Sequence, residues 1–200
     1  MTQAGMNRQH QREERKEHIL RAAASVFARK GLAETKIADI AAEAGISHGL
    51  AYRYFSSKEE VFATLVEQAM NEAIHLAKMA LEQPGTPWDR LHWLTEQVLP
   101  KGLASSLPAY SLVVLHALTN EHIPPSVREM AARMGAITQE AVCRLITDGQ
   151  AADQMMAGNP EQLALLYWAC IQGLIVGTMT PKMGETPFPD TDTVLSLFKG

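Results

Sequence analysis

The chain has 200 residues, of which 46% are hydrophobic and 20% charged, with a formal net charge of −4. That is ample apolar material for a buried core in one domain, or in a small domain joined to a larger one. Its two cysteines, Cys143 and Cys170, supply neither a disulfide framework nor zinc-ligand spacing, so both read as buried thiols of a cytoplasmic protein.

The N-terminus is polar, without the apolar run of a secretory signal. Residues 1 to about 10 read as a frayed polar tail, and a first helix is expected over about 11–30. Ile19, Ala23 and Phe27 form its buried stripe, and Gly31 is its stop. From Thr35 to Lys58 the pattern is helix, glycine turn, helix, then the cap of a third helix. Thr35 is the expected N-cap of the first of these, and Ile37, Ile40, Ala41 and Ala44 fall at i, i+3, i+4 and i+7. Gly45 occupies the turn, and Ser47 caps the second helix. That helix should expose His48, Gly49, Leu50 and Arg53, turn Ala51 inward and anchor its end with Phe55. Two short helices joined so tightly leave the second projecting, the geometry that lays a helix in the DNA major groove.

Charge supports this reading once the chain is divided. Residues 1–58 hold ten Lys/Arg against six Asp/Glu, a net of +4, whereas residues 59–200 hold eight against sixteen, a net of −8. Phosphate attraction acts locally, so the basic part is what a DNA contact requires. The expected division is a DNA-binding domain over 1–58 and a second helical domain over 59–200.

A long helix is expected over about 58–83, ended by Pro84-Gly85. Further helices follow over about 88–99, interrupted at Pro100-Lys101-Gly102, then about 109–120 and about 123–148. Residues 149–160 read as a polar loop, 161–179 as a strongly apolar helix, 181–192 as a linker and 193–198 as a short terminal helix. No strand alternation or internal repeat occurs. The run 162–180 is uncharged for nineteen residues and contains Gly173-x-x-x-Gly177. Gln172, Thr178 and Thr180 interrupt it, so it reads as a helix buried between its own domain and a second subunit rather than as a membrane span.

Residues within the segment from about Arg15 to Leu65 resemble the DNA-binding domain of the TetR family of bacterial transcriptional repressors. They are Ile19-Leu20-x-Ala22-Ala23, Phe27, Gly31, Thr35-x-Ile37-x-Asp39-Ile40-Ala41, Ala44-Gly45-Ile46-Ser47-x-Gly49, Tyr52-x-Tyr54-Phe55 and Ser57-Lys58-Glu59. The resemblance covers about a quarter of the chain. It implies an all-α protein in which a three-helix helix-turn-helix domain is joined by a long helix to a helical ligand-binding and dimerisation domain. It also implies double-stranded operator DNA as partner, a homodimer, and a small hydrophobic effector whose binding releases a repressor from a palindromic operator. A regulator without a small ligand, controlled by a partner protein or by abundance, is the alternative.

Arg53 is the expected base reader, because a guanidinium can donate bidentately to guanine. His48, Gly49 and Leu50 share its face beside the Ser47 cap. Thr35, Lys36, Tyr52, Tyr54 and Lys58 are expected to hold phosphates. Trp93, Tyr110, Leu115, Met134, Ile137 and Trp168 are candidates for an apolar ligand pocket, with Met183 a further large side chain. Leu166, Cys170, Gly173, Leu174 and Gly177, with Val194 and Phe198 of the terminal helix, are the expected dimer seam. No cofactor, metal site or membrane contact is expected. The one Glu-x-x-His spacing, Glu72 and His75, has no second copy, and no catalytic motif appears, so no enzymatic activity is expected.

Overall fold

Capping chemistry sets the helix boundaries in the computed structural model, which describes residues 3–99, 107–179 and 188–200. The helices are α1 (Gln3–Glu34), α2 (Ile37–Glu43), α3 (His48–Tyr52), α4 (Lys58–Glu82), α5 (Pro87–Val98), α6 (Leu107–Thr119), α7 (Pro125–Ala151), α8 (Pro160–Gly177) and α9 (Thr191–Leu195). A 3-10 turn over Ser196–Phe198 follows α9. The Ser57 hydroxyl accepts the Glu60 N–H at the start of α4. Thr86 and Asp89 form a reciprocal box at α5, and Asn159 accepts the Glu161 and Gln162 N–H groups at α8. Asp190 does the same for Thr193 at α9. Among the described residues β-pairing is limited to an isolated antiparallel bridge between Met155 and Lys199.

The architecture is all-α: a three-helix helix-turn-helix domain joined by α4 to a helical C-terminal domain. The apolar core divides into two clusters. The first joins Ile19 and Phe27 of α1, Ile40 of α2, Phe55, and Phe62 and Leu65 of α4 to Val113 of α6 and Ala131 of α7. The second gathers Ala80, Leu91, Leu94, Leu145, Tyr167, Ile171, Leu195 and Phe198. The division does not follow the chain, because α6 and the start of α7 pack with the helix-turn-helix helices. Helices α4 and α7 run through both clusters. The first cluster is pinned by Phe27 and Phe62, edge to face at 5.2 Å.

Several expectations are corrected. Residues 3–10 are not a frayed tail, because α1 begins at Gln3. Gly31 does end the regular part of that helix, with φ of 70°. The segment after 148 is not at once a loop, because α7 continues through Gly149 to Ala151. A Cβ at Gly149 would lie 2.6 Å from the Met155 sulfur, so a larger residue there would displace the Met155 side chain. Val194 and Phe198 are not available to a second subunit, being 4% and 1% exposed within the chain. Phe198 meets Tyr167 at 5.9 Å, and its carbonyl accepts the Met156 N–H at 3.0 Å, so this terminal segment closes the second cluster. The expected interruption at 100–102, most of the 181–192 linker, and Met183 lie outside the described residues.

Candidate nucleic-acid interface

The helix-turn-helix is assembled from local chemistry. Helix α2 begins after Lys36, whose N–H donates to Asp39 Oδ2 at 2.9 Å. The same carboxylate meets Lys30 Nζ at 3.0 Å through Oδ1, tying α2 to α1. The Lys36 N–H and the Lys30 ammonium hold Asp39 below the usual carboxylate range. Arg29 and Glu43 make a second tie at 2.7 Å, which raises the Arg29 pKa. A third runs from His18 Nε2 to the Ala44 carbonyl at 2.8 Å. Gly45 then turns the chain with φ of 61°, a left-handed conformation that strains residues bearing a Cβ. Ser47 Oγ accepts the Leu50 N–H at 3.2 Å and starts α3.

Helix α3 has only five residues, so its orientation comes from packing rather than from its own hydrogen bonds. Ala51 and Phe55 are both 2% exposed and fasten it to the first cluster. Lys16 lies over the Phe55 ring at 5.8 Å. The opposite side presents His48, Gly49, Tyr52 and Arg53 to solvent, and a Cβ on Gly49 would meet nothing within 4 Å. His48 and Tyr52 touch edge to face at 4.9 Å, so the two rings brace each other along the helix. Leu50 is half-buried and Tyr54 packs partly against the core.

Two expected phosphate contacts are differently employed. Thr35 is 0% exposed and donates its hydroxyl to the Gly31 carbonyl at 2.6 Å, so it neither caps α2 nor faces solvent. Lys36 holds the N-cap position instead and is exposed. Lys58 Nζ donates to the carbonyls of Leu32 and Ala33 at 2.9 and 2.8 Å, closing the C-terminal end of α1 against the start of α4. One of its three N–H donors remains free of these bonds.

Sequence reasoning missed the N-terminal half of α1. Gln11, Arg12 and Arg15 line an open cleft of about 530 Å³ with Leu50, Arg53 and Tyr54. The available signal was the spacing of Arg12 and Arg15, which puts both on one helix face.

The other candidate residues do not converge on one space. Tyr110 and Met134 pack on the first cluster, Trp93 and Trp168 on the second. Leu115 is half-buried, and Ile137 is 42% exposed. On α8, Leu165 and Leu166 are 65% and 47% exposed, and Gly173 has open space beyond its Cα. Cys170 and Leu174 are half-buried, the latter packed against the second cluster, and Gly177 is buried. No group of three His, Cys, Asp or Glu side chains suited to a metal occurs among the described residues, and Glu72 and His75 are both exposed. No helix among them is long and apolar enough to cross a membrane.

A five-residue helix held on a glycine turn, buried on one side and polar on the other, defines a helix-turn-helix protein of the DNA-binding type. Residues 19–65 match the family model described as bacterial regulatory proteins, tetR family. Residues 19–65 therefore form a DNA-binding domain of the tetR-family type. It is 41% identical over 63 residues to the HTH-type transcriptional regulator YfiR of Bacillus subtilis, a match covering 32% of this chain and 31% of YfiR. The chain spans from about a third to about half of the length of the curated relatives it matches. The fold agrees with that of the MbdR regulator from Azoarcus, with a TM-score of 0.76 at 20% identity over 92% of this chain and 94% of that one. It also agrees with a transcriptional regulator from Saccharomonospora viridis crystallised with choline, with a TM-score of 0.69 at 22% identity over 94% and 99% of the two chains.

Proposed function

We propose that this chain is a dimeric, sequence-specific repressor that leaves a palindromic operator when a small hydrophobic ligand binds its C-terminal domain. The observation that carries the DNA-binding part is α3, anchored by Ala51 and Phe55 and presenting His48, Gly49, Tyr52 and Arg53 outward. Arg53 has no acid partner among the described residues, so its guanidinium is free to donate to guanine. Lys36, Ser47, Tyr52 and Lys58 flank it as phosphate contacts. Two copies related by a two-fold axis place one α3 in each half-site. The exposed face of α8, with Leu165, Leu166, Ala169 and Gly173, is the surface that a second copy covers.

Support for ligand control comes from relatives of the same fold. One was crystallised with choline and another, SmeT, with triclosan. In this chain all three tryptophans, Trp88, Trp93 and Trp168, pack on the second cluster, so a ligand entering there changes their emission. Helix α4 passes from that cluster to the helix-turn-helix and transmits the shift. Such a protein has no catalytic role.

Selection of bound sequences from a random duplex library, at stated salt, tests the reading. A palindromic consensus is the expected result, and recovery of none overturns it. On that consensus, Arg53→Ala should reduce discrimination by about 1–3 kcal/mol at one base pair of each half-site, read by anisotropy against single-base variants. Equal losses on consensus and scrambled duplexes would remove Arg53 as a base reader.

A further inference from the structure

The cleft between the N-terminal half of α1 and α3 lies beside the reading surface but is not part of the helix-turn-helix. Its lining is Gln11, Arg12, Arg15, Leu50, Arg53 and Tyr54, which places three guanidiniums and no carboxylate around an open space of about 530 Å³. Arg12 and Arg15 are exposed, and neither has a hydrogen bond or ion pair among the described residues. Like-charged side chains gathered without a counter-charge repel one another, an arrangement that an anion relieves. On the adjoining surface Glu14 meets His10 at 3.2 Å and lines a neighbouring cleft with Gln11, Arg15 and His18.

We propose that this cleft clamps the phosphate backbone of DNA flanking each half-site, with Arg12 and Arg15 on the phosphates and Arg53 shared between the cleft and the groove. The inference rests on the DNA-binding reading above and extends its footprint outward. Leu50 of α3 and Arg53 at its C-cap also belong to the cleft wall, so when α3 enters the major groove the cleft meets the adjoining strand. Guanidinium forks match phosphate oxygens bidentately. The helical start at Gln3 places both arginines within α1, upstream of its core residues. Helix α1 is fastened just beyond them by the first cluster and by the His18 bond to Ala44. The backbone that carries both arginines is helical, which sets them on one face.

The test uses the full chain, the selected consensus, and two duplexes: one trimmed to the half-sites and one carrying about 5 bp more at each end, half a helical turn. Wild-type protein should bind the longer duplex more tightly and with a steeper salt dependence. The double variant Arg12→Gln/Arg15→Gln should bind both duplexes alike. On the longer duplex its slope of log K against log salt should fall by about 0.9 for each phosphate that is no longer neutralised, or ~3 to 4 for the four arginines of a dimer. Arg144→Gln, at an exposed arginine on α7, removes the same charge type elsewhere and should leave the flank response intact. Unchanged far-UV circular dichroism checks that the variants remain folded.

A double variant that keeps the full flank response overturns the clamp and leaves the DNA-binding reading standing. Displacement by inorganic phosphate beyond that by chloride at equal ionic strength, with no response to flank length, assigns the cleft to a small anion and also overturns it. Failure of wild-type protein to bind any duplex overturns clamp and reading together.

Discussion

The two halves of the core finish their surfaces differently. Around the first cluster, the ties Lys30–Asp39, Arg29–Glu43 and His18–Ala44 hold α1, α2 and the turn in one arrangement. Around the second, the terminal segment folds back so that Phe198 seals the interior, yet α8 leaves Leu165 and Leu166 uncovered. The first half is therefore a rigid mount for a short helix. The second is closed inside and leaves two leucines exposed on one outer face.

The largest effects test whether the two clusters unfold as one. Phe62→Ala in the first cluster and Phe198→Ala in the second each remove a ring at most 1% exposed and should cost about 3–5 kcal/mol. Because α4 and α7 cross both clusters, either variant should lower a single thermal transition. Circular dichroism reports the whole chain and tryptophan emission the second cluster alone. Separate midpoints in the two signals would break the comparison into independent domains.

Next in size is the outer face of α8. Leu166→Glu should weaken self-association by at least ~30-fold, the effect of losing a buried interface anchor of about 2 kcal/mol. Light scattering across a concentration series reads this, and an unchanged mass would move the seam elsewhere. Thermal stability at high dilution should be little altered, since Leu166 is 47% exposed in the single chain.

Lys58→Ala sharpens the account of the first half. Loss of its bonds to Leu32 and Ala33 should lower stability by about 1 kcal/mol, and loss of its remaining donor should reduce the salt slope of DNA binding by about 0.9 per protomer. A stability loss with an unchanged slope would confine Lys58 to closing α1.

The smallest effect is with pH. Asp39 is held low mainly by the Lys36 N–H and Glu60 by the Ser56 hydroxyl, both around the helix-turn-helix. In the other half Asp89 is held low by the Thr86 N–H and Asp190 by the Thr193 hydroxyl and N–H. A depressed carboxylate binds fewer protons folded than unfolded, so its stabilisation is present above the ordinary value of about 4 and is lost as pH falls through the lower folded value. Helicity should be level from about pH 7 to 5 and decline below about 4. Asp39→Asn should flatten part of that decline.

The helix-turn-helix was legible in the amino-acid order because its determinants are local. The stripe Ile37, Ile40, Ala41, Ala44, the turn at Gly45, the cap at Ser47 and the anchor Phe55 lie within twenty residues and obey short-range rules. Most helix boundaries farther along were legible for the same reason, through Pro84-Gly85, Pro124-Pro125 and Asn159-Pro160. Three-dimensional packing decided the remainder. Thr35 has the chemistry of a cap, but the reversal of the chain at Gly31 draws its hydroxyl inward. Val194 and Phe198 have the apolar pattern of a seam, but the chain's return to Met155 and Met156 puts them inside. Gly149 resembles a stop until Met155 is found against it. Arg12 and Arg15 become a cleft wall only when α3 lies beside α1. Residue order determines which segments are helical and which faces are apolar, because those preferences act over a few residues. Which apolar face stays inside and which charges meet depends on contacts between segments far apart in the chain.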